Sequence, residues 1–228
     1  MDKARIVQNL EAAEAALATG RGLKGTGFWR AVDAARADPE VAEKFGGRIA
    51  AIDTRAFEQG VRLRVPAGVG TTVLAAGAGA GVAALILAQG IPSRLVRTVV
   101  FLGAFGTLEV TTHSLAHWVV GRLMGMRFTH YFLGGPPPPR PGTKIDYATY
   151  LGVPPARRAL MHASGAVVTK LMPFALIPVA VRLELPKWAI YLLIAVGVLQ
   201  LVTDLLFSTK NSDWKKVKRE LRAARRQP

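Results

Sequence analysis

The sequence predicts an all-α polytopic membrane protein with about four transmembrane helices, a small membrane-associated β-hairpin and a helical N-terminal cytoplasmic cap. Three observations predict it. Four stretches have the roughly 20 mostly apolar residues that a spanning helix needs. The positive charge of the chain sits between those stretches rather than on one continuous surface. One segment of strand-like alternation falls between the second and third stretches.

In chain order, residues 1–65 form the helical region. "DKARIVQNLEAAEAALA" and "GTGFWRAVDAARADPEVAEKFGGRIAAI" are amphipathic, and Asp38 followed by Pro39 starts a further turn. The opening "MDKARIVQNLEAAEAALATG" lacks the apolar centre of a cleavable signal peptide. "GRGLKGTG" follows a helix rather than a strand, so it is not read as a phosphate-cradling loop. Residues 66–208 form the membrane core, with spans at about 68–89, 99–124, 159–181 and 188–207. The first is free of charge, and its small residues allow close helix packing. The second carries Glu109, His113, His117 and Arg122, the third His162 and Lys170, and the fourth Asp204. Ionisable groups inside a span are costly and mark functional sites. Pro173 and Pro178 kink the third span.

Between the second and third spans, "MRFTHYFLGG" alternates as a strand does, "PPPPRPG" is a stiff spacer, and "TKIDYATYLG" alternates again. This pair is the expected hairpin. Residues 209–228 form a basic tail helix capped by Ser212, whose Lys and Arg would contact anionic membrane lipid.

The chain has 228 residues, with 30 Lys and Arg against 15 Asp and Glu. That excess would suggest nucleic acid in a soluble domain, but interleaved with apolar spans it sets orientation instead. The N-terminal segment, central connection and tail carry net charges of +2, +4 and +6, against +2 and +1 on the other two connections. The positive-inside rule then predicts a multi-pass protein of the plasma membrane with both termini cytoplasmic. Arg94 and Arg97 run against the trend. With no Cys, thiolate metal sites are excluded.

The stretch "EVTTHSLAHWVVGRLMG" carries the candidate chemistry. Glu109, His113 and His117 are spaced by four, so they form a column on one helix face. Glu109 has three roles open to it: a fourth metal ligand, an acceptor for an imidazole N–H, or a displaced base. Lys170 offers a metal-free alternative, an ion pair with Glu109 or Asp204. His162 is either a further ligand or an interfacial histidine, and His130 is read as a surface residue.

The order of these motifs resembles the site-2 protease family of intramembrane metalloproteases. The histidine pair is "HSLAH", the strands are "FTHYFLGG" and "TKIDYATYLGVP", the third core helix opens "RRALMHASGAVVT", and the aspartate segment is "VTDLLFSTKNSDW". Together they cover roughly residues 99–214. The resemblance implies a zinc ion (Zn²⁺) held by His113, His117 and Asp204. It also implies a membrane-protein substrate or partner. The departures are specific. The family's His-Glu-x-x-His motif places the general base where this chain has Ser114. The family's Pro and Asn on the third helix correspond to Ala166 and Thr169, and Asp204 is not followed by Gly. Two functions follow. One is a non-catalytic or weak peptidase that binds or regulates a partner. The other is an active protease that uses Glu109. A metal-free subunit of a membrane complex is the third alternative. Metal transport would need a polar relay, which the clean first span does not offer.

Overall fold

The computed structural model describes residues 2–134, 139–206 and 212–225. Most of them are helical. The elements are α1 (Lys3–Ala18), α2 (Phe28–Ala37), α3 (Pro39–Gly60), β1 (Leu63–Pro66), α4 (Ala67–Leu87), α5 (Arg94–Leu123), β2 (Phe128–Gly134), β3 (Arg140–Ile145), α6 (Tyr147–Gly152), α7 (Pro155–Ala175), α8 (Ile177–Arg182), α9 (Lys187–Leu206) and α10 (Asp213–Ala224). Among the described residues, four helical stretches are long and apolar enough to cross a membrane: Ala67–Gly90, Arg94–Leu123, Pro155–Arg182 and Lys187–Asp204. They match the four expected spans closely.

The described residues fall into two compact units. One draws on Met1–Gly70, Gly121–Ala159 and Lys218–Pro228, the other on Thr71–Val120 and Leu160–Val217.

In the first unit, α1 and α3 begin at side-chain caps. Asp2 accepts from the Ala4 N–H at 3.4 Å and Asp38 from the Glu40 N–H at 2.9 Å, with Pro39 at the start of α3 where its missing N–H costs nothing. The apolar faces of α1, α2 and α3 bury Ile6 and Leu10, Phe28 and Val32, and Ile49 respectively. The sheet of this unit has three antiparallel strands in the order β1-β2-β3. The expected hairpin therefore gains a strand, with Val65 opposite Tyr131 and Tyr131 opposite Thr143. The second predicted strand is also shorter than expected. Asp146 accepts from the Ala148 N–H at 3.1 Å, which caps α6 and turns residues 147–152 into helix. Of the proline spacer, residues 136–138 lie outside the described residues, and Arg140–Ile145 is already strand.

A buried charge cluster closes this unit. The Glu220 carboxylate is fully buried. It accepts from Arg158 Nε at 2.7 Å and from the Tyr150 hydroxyl at 2.8 Å, and Arg36 Nε lies 3.6 Å away. Burial, with Glu220 beside it, pushes the Tyr150 hydroxyl far above its ordinary pKa, so it remains a donor. A second pair joins Asp53 of α3 to Lys144 of β3. The inner face of the tail helix α10 is thus taken up by protein at Glu220, Val217 and Ala223.

In the second unit, Phe101, Phe105 and Leu108 of α5 pack with Leu176, Ala180, Leu183 and Leu193. A Cβ on Gly77 would meet the Thr111 side chain at 2.9 Å, and one on Gly81 would meet Leu108 at the same distance, so the small residues of α4 do permit close packing. The third span breaks between Ala175 and Ile177, with Pro173 inside α7 and Pro178 in the first turn of α8. Arg94 and Arg97 are both engaged with backbone. Arg94 Nε donates to the Glu184 carbonyl at 3.0 Å, and Arg97 donates to the carbonyls of Leu183 at 2.7 Å and Ile91 at 3.0 Å. They satisfy carbonyls left open at helix ends.

Candidate metal centre

The site is built from the second unit. The i, i+4 spacing on α5 puts the two imidazoles together, with His117 Nε2 3.3 Å from His113 Nε2. The third group is Asp213, the first residue of α10, whose Oδ2 lies 3.3 Å from His117 Nε2 and 3.4 Å from His113 Nε2. Among the described residues, these three form the one group of ligating side chains close enough to hold a metal.

The triangle fits a metal. Ligand atoms at about 2.0–2.1 Å from a tetrahedral zinc lie about 3.3–3.4 Å from one another. The three edges fall in that range. The proton inventory points the same way. His117 Nδ1 is 2.7 Å from the Met161 carbonyl, which only accepts, so Nδ1 carries the proton. The other ring nitrogen, Nε2, faces Asp213 and His113. Such a hydrogen bond to the far ring nitrogen fixes the tautomer and orientation of a metal-binding histidine.

Two features hold this arrangement. Gly165 lets α7 approach α5: a Cβ there would run into the His117 ring and would lie 2.8 Å from the His113 carbonyl oxygen. Lys216, one turn along α10, donates to Asp213 Oδ1 at 3.0 Å, leaving Oδ2 to face the histidines. Burial pushes the Asp213 carboxyl up, but the adjoining His113 and His117 rings and the nearby Lys216 charge outweigh it, so the group stays ionised. The side chains of His117 and Asp213 are 10 % and 16 % exposed, whereas His113 is 37 % exposed and is the most open of the three.

No family model, curated protein or solved structure matches the chain. The roles of the site residues therefore rest on geometry.

The structure brings His113 and His117 together as expected but places Asp213, not Asp204, beside them. Asp204 pairs instead with Lys170 of α7. An aspartate and a lysine in apolar spans each need a counter-charge, and each supplies the other's. Glu109 stays outside the triangle. It is half-buried, Gln200 hydrogen-bonds to its carboxylate, and its Oε1 has no partner among the described residues. His162 is buried on α7 and outside the group. His130 is half-buried against Phe57, ring centroids 5.7 Å apart, rather than a plain surface residue. Ser114 follows His113 on α5 and is half-buried. Asp213 is hidden from hydropathy because it lies beyond the last apolar run. The signal for it is its place directly after the Ser212 cap, within the aspartate segment that carries the family resemblance.

Proposed function

We propose that the chain is a multi-pass membrane metalloprotein of the site-2 protease type that binds a membrane-protein partner instead of cutting it, with zinc held by His113, His117 and Asp213. The observation that carries this reading is the triangle of three ligand atoms with edges of 3.3, 3.3 and 3.4 Å. Two imidazoles and one carboxylate are a donor set that zinc takes with a fourth position open. Zinc in such a site supplies Lewis acidity toward a water or a carbonyl oxygen.

The chain's own residues orient the ligands but do not supply a base. The Met161 carbonyl fixes the His117 ring, and Lys216 fixes the Asp213 carboxylate. Ser114 stands where the family's glutamate would take the proton, and a serine hydroxyl holds its own proton at neutral pH. Glu109 is engaged by Gln200. A missing general base removes about 10²- to 10⁴-fold of rate. The order of elements supports the family likeness: a histidine pair on α5, strands β2 and β3, the close-packing α7, then the acidic ligand. Four apolar helices that leave most of their residues unburied call for a lipid surround. The loop charges favour cytoplasmic termini, and the two arginines against the trend have capping roles.

The test measures metal in detergent-purified protein. About one equivalent of zinc is expected in the wild type, and none in the His113→Ala, His117→Ala double variant. Equal metal in both would sink the metal reading and leave an imidazolium–carboxylate seam. Peptidase activity is assayed on single-span substrates beside Ser114→Glu. Chelator-sensitive cleavage by the wild type, lost in Glu109→Gln with metal retained, would make Glu109 a base and the protein an enzyme.

A further inference from the structure

The outer face of α10 has no role in the metal centre, and its composition is one-sided. Successive residues of a helix are about 100° apart. On that wheel Lys215, Lys218, Arg219, Arg222 and Arg225, with Trp214 and Leu221, fall in one arc of about 160°. The five cations and Leu221 are exposed, and Trp214 is half-buried. The opposite arc holds Asp213, Val217, Glu220 and Ala223, all engaged with protein. Both acidic residues of the helix therefore point inward. Apart from Arg219, which lies 3.5 Å from Glu220, none of the five outer cations is in an ion pair among the described residues.

We propose that this outer face docks on the anionic headgroups of the membrane that holds the four apolar helices. The chain keeps α10 close to that membrane. Asp213 follows Leu206, the last residue of α9, by seven positions, which reach at most about 24 Å when extended. The arc has the residues that a headgroup layer selects, Lys and Arg for phosphate and Trp for the interface. The contact differs in kind from an amphipathic helix lying in the interface, which binds by burying its apolar face. Here Val217 and Ala223 are already covered by protein. The attachment is electrostatic, and salt weakens it.

The test uses the intact protein in nanodiscs of phosphatidylcholine alone or mixed with phosphatidylglycerol. Hydrogen exchange of the α10 amides is the readout. Each basic residue near an anionic surface is worth about 1 kcal/mol, so exchange at least about tenfold slower in the anionic discs is expected. High salt should abolish the difference, and so should the Lys218→Gln, Arg222→Gln, Arg225→Gln variant. The salt titration of the wild type decides the matter even if the variant folds poorly. Equal exchange in the two discs would overturn the proposal. So would protection by RNA or polyglutamate in neutral discs with none from anionic lipid. Neither outcome depends on whether a metal binds.

Discussion

Replacing Gly165 by alanine tests the centre with a single methyl group. The added Cβ would stand 2.7 Å from His117 Cδ2 and 2.8 Å from the His113 carbonyl oxygen. Ordinary contacts need about 3.5 Å, so at least about 0.8 Å must be found. If α7 retreats by that amount, the 2.7 Å bond from His117 Nδ1 to the Met161 carbonyl opens toward about 3.5 Å, beyond good hydrogen-bond geometry. If the ring swings instead, Nε2 leaves the triangle. Either way His117 loses its fixed orientation, a loss that typically costs 10- to 100-fold in metal affinity. Helix propensity acts in the opposite direction, favouring alanine by about 0.8–1.0 kcal/mol. Overall stability is therefore a poor readout, and metal affinity is the decisive one. Competition against a chromophoric chelator in detergent should show Gly165→Ala binding zinc 10- to 100-fold more weakly than wild type. An affinity within about twofold of wild type would refute the claim that the α5–α7 approach positions the ligand.

The two aspartates should separate cleanly. Asp213→Asn is expected to lose stoichiometric zinc, whereas Asp204→Asn keeps it and lowers stability by a few kcal/mol, because Lys170 loses its counter-charge; metal analysis beside thermal unfolding reads both. Glu220→Ala strands the buried Arg158 guanidinium and should cost about 3–5 kcal/mol, while Tyr150→Phe removes one hydrogen bond to a charged group and should cost about 1.5–3 kcal/mol; unfolding midpoints that do not move would show that the cluster is not packed as described. Stripping metal with a chelator should lower the melting temperature of wild type and leave Asp213→Asn unchanged, since only a ligand held by the folded state stabilises it. Reporter fusions at both ends should give cytoplasmic signals, and a signal from the far side at either end would overturn the four-span orientation.

What is legible in the sequence follows from period and length. The four spans stand out because about 20 apolar residues in a row suit a bilayer and little else, and the histidine pair because a spacing of four fixes a helix face. Strand β1 does not stand out although Arg62, Leu63, Arg64 and Val65 alternate, because four residues carry too little pattern beside a span. Residues 147–152 look like strand from the alternation of Tyr147, Thr149 and Leu151, when the Asp146 cap is the stronger signal. The choice of Asp204 over Asp213 has a different origin. The resemblance aligns the acidic ligand with the end of the last apolar run, where Asp204 sits, but that residue is paired with Lys170. Which of two aspartates meets a histidine pair is a question of tertiary contact, and no local period encodes it.

Because Asp213 comes after the fourth apolar helix, the centre has an order of construction. Chains emerge and fold from the N-terminal end first. His113 and His117 are therefore made while the chain still lacks the aspartate. At that stage the pair offers two donors instead of three. The triangle closes only once α10 has been synthesised and has brought Asp213 against α5. A chain halted just beyond residue 206 would keep every apolar helix and still leave the triad incomplete, so occupancy of the centre would separate finished molecules from arrested ones.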